Sequence, residues 1–144
     1  MYVKLFICFL LCAGGVFFGE IKAEGLRNKL RRAEEFAALF RRLKSAVEYS
    51  GENLYSAVKK ESDFAGIIDG IPQNEDKFCA NVLLRTLKFS EKSNDIASAA
   101  ANIKAAENEI EEYKKTKQEE YRGKIKAMPV LGLVAGLFIS VLVI

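Results

Sequence analysis

Histidine is absent from this 144-residue chain. That removes imidazole acid–base chemistry, Ser-His-Asp triads and histidine metal sites in one stroke. Cysteine is scarce, and the three present form no disulfide framework. Cys8 and Cys12 lie one helical turn apart inside an apolar run, and Cys79 stands alone with no evident base to activate it. There is no Cys-x-x-Cys pair, no phosphate-binding glycine loop and no Gly-x-Ser-x-Gly elbow. Charge of one sign is also lacking: 22 basic residues against 19 acidic leave a net +3, too little to suggest nucleic acid as a partner. No stretch alternates with period two, so no sheet is expected. No cofactor or metal site and no enzymatic constellation emerge. The acidic run Glu107, Glu109, Glu111 and Glu112 reads as solvated helix surface, with Glu111 and Lys115 spaced for a surface pair.

What the chain does have is grease at both ends. Leu5 to Gly19 carries no charge, and neither does Ala127 to Ile144. Apolar runs of this kind are not left in water. The C-terminal run reaches about 27 Å as a helix and the N-terminal one about 22 Å, against roughly 30 Å of hydrocarbon. Tyr2, Val3 and a snorkelling Lys4 can lengthen the shorter one. A cleaved signal peptide, ending near Ala13-Gly14-Gly15, is the alternative for the N-terminus. Basic residues crowd the inner flanks: Lys22, Arg27, Lys29, Arg31 and Arg32 after the first run, and Lys114, Lys115, Lys117, Arg122, Lys124 and Lys126 before the second. By the positive-inside rule they put the middle of the chain in the cytoplasm and both termini across a cell membrane. A cleaved signal would put it outside.

The middle reads as helices. Leu26, Leu30, Ala33, Phe36, Ala37, Phe40, Leu43 and Val47 form one stripe over Leu26–Tyr49, stopped by Gly51. Short helices follow over Glu52–Lys60 and from a Ser62-Asp63 cap through Ile68. Asp69-Gly70-Ile71-Pro72 breaks the pattern. The next helix starts at Asn74 or Glu75 and carries Phe78, Cys79, Val82, Leu83 and Leu87. The last starts within Ser93–Asp95. Its stripe runs through Ile96, Ala99, Ile103, Ala106, Ile110 and Tyr113, then fades into a stalk entering the C-terminal run, where Gly123 and Pro129 could kink it. The expected architecture is all-α: a transmembrane helix over residues 1–20, a small cytoplasmic helical bundle over 21–126, and a second transmembrane helix over 127–144.

Two patterns point to binding rather than catalysis. Gly15 and Gly19, and Gly132, Gly136 and Ser140, put small residues at four-residue spacing on each apolar run, where helix backbones can approach closely. They are expected to pack against each other or against partners, a homo-oligomer included. Arg27, Arg31, Arg32, Arg41 and Arg42 form a basic ridge that could dock an acidic protein surface or simply lie solvated beneath lipid headgroups.

The order of these features resembles the stage III sporulation protein AB family of spore-forming Firmicutes. The likeness is most specific in LGLVAGLFISVLVI, Leu131 to Ile144. It extends through ANIKAAENEIEEYKKTKQEEYRGKI before it and LFRRLKSAVEYSGENLYSAV, Leu39 to Val58. The stretch from Lys60 to Asn81 is shorter than usual for that family. Leu87-Lys88 stands where a Leu-Gly turn is expected, and Ser50 lengthens the Tyr-Gly turn. The resemblance implies a non-enzymatic, all-α component of the AA–AH assembly, a secretion-like apparatus in the mother-cell membrane around the forespore. It further implies a platform-like adaptor that engages the assembly's cytoplasmic secretion-type ATPase. The other readings are a self-associating two-span membrane protein and an exported helical protein with a C-terminal anchor.

Overall fold

A computed structural model describes residues 1–92 and 95–143. Among them every regular element is helical and no strand occurs. The order is α1 (Tyr2–Ser50), α2 (Leu54–Lys60), α3 (Ser62–Ala65), a 3-10 turn (Gly66–Ile68), α4 (Lys77–Lys92) and α5 (Ile96–Val143). Two compact units result. One joins Met1–Leu30 to Thr116–Ile144, the other is Arg31–Lys115. Helices α1 and α5 contribute to both.

Helix α1 is longer than the sequence pattern suggests. The N-terminal run and the Leu26–Tyr49 helix are one element, because only Gly25 weakens the joint and a single interior glycine costs about 1 kcal/mol. Helix α5 continues into the C-terminal run as expected, with neither Gly123 nor Pro129 ending it. Proline there removes one backbone donor, from the Ile125 carbonyl, but leaves the rest of the ladder intact. Each long helix holds a stretch apolar enough to cross a membrane, with mean hydropathy 2.0 and 2.1 over the best windows, of which only 6 % and 11 % is buried. The core helix of a soluble protein would be mostly covered.

Unit Arg31–Lys115 has a contiguous core. Phe36, Leu39, Phe40, Leu43 and Val47 of α1 meet Leu54 and Val58 of α2, Phe64 of α3 and Ile67 of the 3-10 turn. Cys79, Val82 and Leu83 of α4 and Ile103 and Ile110 of α5 close it. The Phe36 and Phe64 rings meet edge to face at 5.0 Å. Phe78 stacks on Tyr113 at 4.3 Å. Ile96, at the start of the expected α5 stripe, is 53 % exposed instead.

Local polar groups set most of the ends. Gly51 takes φ +63°, which favours glycine, and ends α1. The Asn53 side chain accepts from the Tyr55 N–H at 2.9 Å and starts α2 later than expected. Asp76, rather than Asn74 or Glu75, caps α4, accepting from the Phe78 and Cys79 N–H groups at 3.0 and 3.2 Å. The Ser62-Asp63 cap does not form: Glu61 holds that position without a side-chain bond, and both residues lie inside α3. For α5, Asp95 accepts from the Ala97 N–H and the Ser98 hydroxyl. The expected start at Ser93 falls outside the described residues.

One cluster ties the irregular stretch before α4 to both long helices. Arg32 donates from Nε and Nη2 to the two carboxylate oxygens of Glu75, at 2.7 and 2.6 Å. It also donates to Glu35 at 2.8 Å and to the Asp63 carbonyl at 3.3 Å. Its guanidinium lies over the Phe36 and Phe64 rings. The next residue in the loop, Asp76, accepts the Tyr113 hydroxyl of α5 at 2.9 Å. Arg32 and Tyr113 sit at the two chain boundaries of the unit, so consecutive loop residues clasp α1 and α5 there.

The clasp sets a pH dependence. The Arg32 hydrogen bonds hold the Glu75 carboxyl below its ordinary value of 4.5, against its partial burial. A depressed carboxylate stabilises the fold above its unfolded pKa and loses that contribution as pH falls through the folded value. Melting of the full chain in detergent should therefore lose stability below about pH 4.5, and Glu75→Gln should flatten that slope. Arg32→Ala should cost about 2 kcal/mol at neutral pH, the worth of hydrogen bonds to a charged group, while Arg32→Lys should recover only part of it.

Candidate functional site

In the unit built from Met1–Leu30 and Thr116–Ile144 the apolar segments of α1 and α5 run antiparallel, and their backbones touch through glycine. A Cβ placed on Gly15 would fall on the Gly132 carbonyl, and one on Gly132 would fall on the Gly15 carbonyl. A Cβ on Gly19 would strike the Met128 carbonyl and come within 2.9 Å of the Pro129 Cα. One on Gly136 would lie 2.7 Å from the Leu11 carbonyl oxygen and 2.9 Å from the Cys12 Cα. No other residue type fits these four positions without moving backbone. Ser140 continues the face. It is 4 % exposed, and its hydroxyl donates to the Gly136 carbonyl at 2.8 Å, spending its polar group within its own helix.

All five small residues singled out in the sequence thus occupy one face, and four of them meet the opposite helix at backbone contact. Ala23 extends the stripe on α1 and is fully buried. It stands at the next four-residue step after Gly19, a signal the sequence carries, but it lies beyond the apolar run. The other faces are uniformly apolar and open: Leu5, Phe6, Phe9, Leu10, Phe17 and Phe18 on α1, and Leu131, Leu137, Phe138, Val141 and Leu142 on α5, are each at least half exposed.

The basic ridge is a different matter. Arg27 pairs with Glu20 at 2.9 Å and Glu24 at 3.3 Å. Arg32 is the clasp described above. Arg41 reaches Glu111 at 2.9 Å, and Glu34 and Glu107 at 3.4 Å. Arg42 reaches Glu61 at 2.9 Å. Arg31 stays on the exposed surface of α1. The ridge is therefore not a bare cationic surface, because Arg27, Arg32, Arg41 and Arg42 hold carboxylates of this same chain. The acidic run of α5 is the other half of that arrangement. Glu111 also meets Lys114 at 3.0 Å, Lys114 bonds Glu34, and Glu109 bonds Arg85. Hydrogen bonds from Lys114 hold the Glu34 and Glu111 carboxyls below their ordinary range, and Glu34 in turn raises Lys114. These pairs are partly solvated and are each worth about 0–1 kcal/mol.

Cys79 lies fully buried at the start of α4. Burial, together with the nearby Asp76 and Glu75 charges, pushes its thiol well up, so the reactive thiolate is disfavoured. Among the described residues no cluster of acidic residues and cysteines is arranged to hold a metal. Compared with known proteins, the chain matches no family model, no curated protein and no solved structure.

The glycine contacts make a sharp mutational contrast. A Cβ on Gly14 would meet nothing within 4 Å, whereas one on its neighbour Gly15 meets backbone. Gly15→Leu or Gly132→Leu should weaken the helix pair by about 1–3 kcal/mol, as overpacking does. Gly14→Leu should be silent. Energy transfer between labels at positions 3 and 143 in detergent micelles reads this directly, falling in the first two variants and not in the third.

Proposed function

We propose that this protein is a non-enzymatic membrane adaptor: a paired two-helix anchor carrying a cytoplasmic helical unit that engages other components of a membrane complex. The observation that carries the reading is the backbone-level packing of Gly15 and Gly19 against Gly132 and Met128, on helices whose remaining faces are apolar and uncovered. Helix pairs in lipid gain little from hydrophobicity and rely on such close approach. The same contact argues for retention of the N-terminal helix, since signal cleavage would strip Gly132 and Gly136 of their partner. The basic inner flanks favour a cytoplasmic central unit.

The specific complex we propose is the secretion-like stage III sporulation assembly, in the mother-cell membrane around the forespore. The resemblance of Leu131 to Ile144, and of the helix before it, to the stage III sporulation protein AB family supports this. In that role the central unit would dock on the cytoplasmic secretion-type ATPase of the assembly, and α5, helical from Ile96 to Val143, would carry displacement to the membrane. A self-associating two-span protein is the competing reading, favoured by the same glycine spacing but served less well by it, because the glycines are already occupied within one chain.

Two measurements test this. Intact-mass analysis of the membrane-extracted protein should find Met1 or Tyr2 at the N-terminus; a start beyond Ala13 means an exported protein and ends the adaptor reading. Detergent-solubilised full-length protein should retain the assembly's secretion-type ATPase in a pull-down. Reversing Arg31, Arg41 and Arg42 should weaken capture about tenfold if the ridge contributes, the scale of a lost charge pair. Arg32 is left intact because its loss would report on folding. Folded protein that captures no ATPase removes the sporulation role.

A further inference from the structure

At the corner where α1 ends, α4 ends and α5 begins, the helical unit has a cleft of about 370 Å³. Val47, Leu54 and Ala99 give it an apolar floor, and Glu52, Glu91 and Asp95 give it an acidic rim. No lysine or arginine lines it among the described residues. Two other observations bear on what it takes. The carbonyl end of α1 meets the N-terminal ends of α2 and α5 here, so the helix dipoles largely cancel and the rim carboxylates set the sign. Ile96, which lines it, stands 53 % exposed in a unit that buries most of its large apolar side chains.

We propose that this cleft docks a cationic amphipathic segment of a partner protein. An apolar side chain of the segment would seat on Val47, Leu54 and Ala99, with Ile96 beside it, and its lysines or arginines would face the three carboxylates. The rim charges select the sign. A neutral or acidic segment would desolvate Glu91 without bringing a cation to compensate it, which is costly. Glu52 already shares Lys60, and Asp95 uses its oxygens as a cap, but neither loses the preference for a cation. The cleft is also distinct from the α1 ridge, which would take an acidic partner, and its chemistry is the same whichever complex the protein serves.

The test uses full-length protein in lipid nanodiscs and a fluorescent amphipathic helical peptide of leucine and lysine, with its leucine–glutamate counterpart as control. Anisotropy should register binding of the lysine peptide and none of the glutamate one. The combined variant Glu52→Gln, Glu91→Gln, Asp95→Asn keeps side-chain size and the cap oxygen and should weaken binding about tenfold. Ala99→Leu, which fills the floor without touching charge, should weaken it as well. Glu109→Gln, Glu112→Gln, Glu119→Gln removes equal charge elsewhere and should leave binding unchanged. Equal weakening by that last variant would mean diffuse attraction and overturn the proposal. So would full binding by both cleft variants, or no binding by the wild type.

Discussion

The helical unit depends on one guanidinium. Arg32 lies on the margin of the α1 apolar stripe, where its planar fork can meet Glu75 edge-on while its face covers Phe36 and Phe64. Between α2 and α4 the chain has only a four-residue helix, a 3-10 turn and a loop. Such pieces have no stability of their own, because helix nucleation is unfavourable and a single turn never recovers its cost. Yet Phe64 and Ile67, both nearly fully buried, come from this stretch. Hydrophobic burial alone is non-directional and would leave their backbone free to slide. Arg32 fixes it at two points, through Glu75 and the Asp63 carbonyl. Asp76 fixes a third by starting α4 and accepting from Tyr113. A lysine could neutralise Glu75 but could neither bond it twice nor stack on the rings.

The apolar helix pair answers to a different constraint. In the helical unit, water drives side chains together and tolerates some looseness of fit. For two helices apolar enough to cross a membrane, that drive would be missing in hydrocarbon, and only contact distance would separate an associated pair from a dissociated one. Glycine is the means, at the cost of helix propensity. The same glycines leave the outward faces free to be uniformly leucine, isoleucine, valine and phenylalanine. Ser140 obeys the same logic: its hydroxyl bonds back to the Gly136 carbonyl and presents no unpaired donor. A single helix therefore meets two opposite rules along its length, small residues inward near one end and large residues inward near the other.

How much of this could be read in advance follows from the range of each interaction. Helix identity, the apolar segments and the spacing of Gly15, Gly19, Gly132, Gly136 and Ser140 are local patterns, and the structure uses all of them. Helix ends set by one residue, such as Gly51, are equally legible. Ends set by competition are not. Asn74, Glu75 and Asp76 all can cap, and Asp76 does so because Glu75 is drawn away to Arg32. The separation of α1 into two elements fails because nothing at Gly25 is strong enough to break a helix that packing supports on both sides. The internal pairing of the basic ridge is illegible for a deeper reason. The partners of Arg32, Arg41 and Arg42 lie 43, 70 and 19 residues away, and periodicity along one helix carries no information about them.

That pairing changes what the charges mean. On paper, α1 offers arginines and α5 offers glutamates, each a surface for something else. Folded, they meet each other: Arg41 with Glu107 and Glu111, Lys114 with Glu34. Exposed pairs of this kind add little stability, but they align two long helices that would otherwise share only an apolar seam, and it is the polar and charged positions beside such a seam that fix register. Charge consumed in alignment is charge unavailable to a partner except by exchange. A ligand that docks on the ridge must break pairs to do so, whereas one that docks on the Glu91–Asp95 corner breaks few. Electrostatic recognition by this protein should therefore be sought at carboxylates outside such ion pairs, such as Glu91 at the corner where α1 stops, rather than along the length of α1.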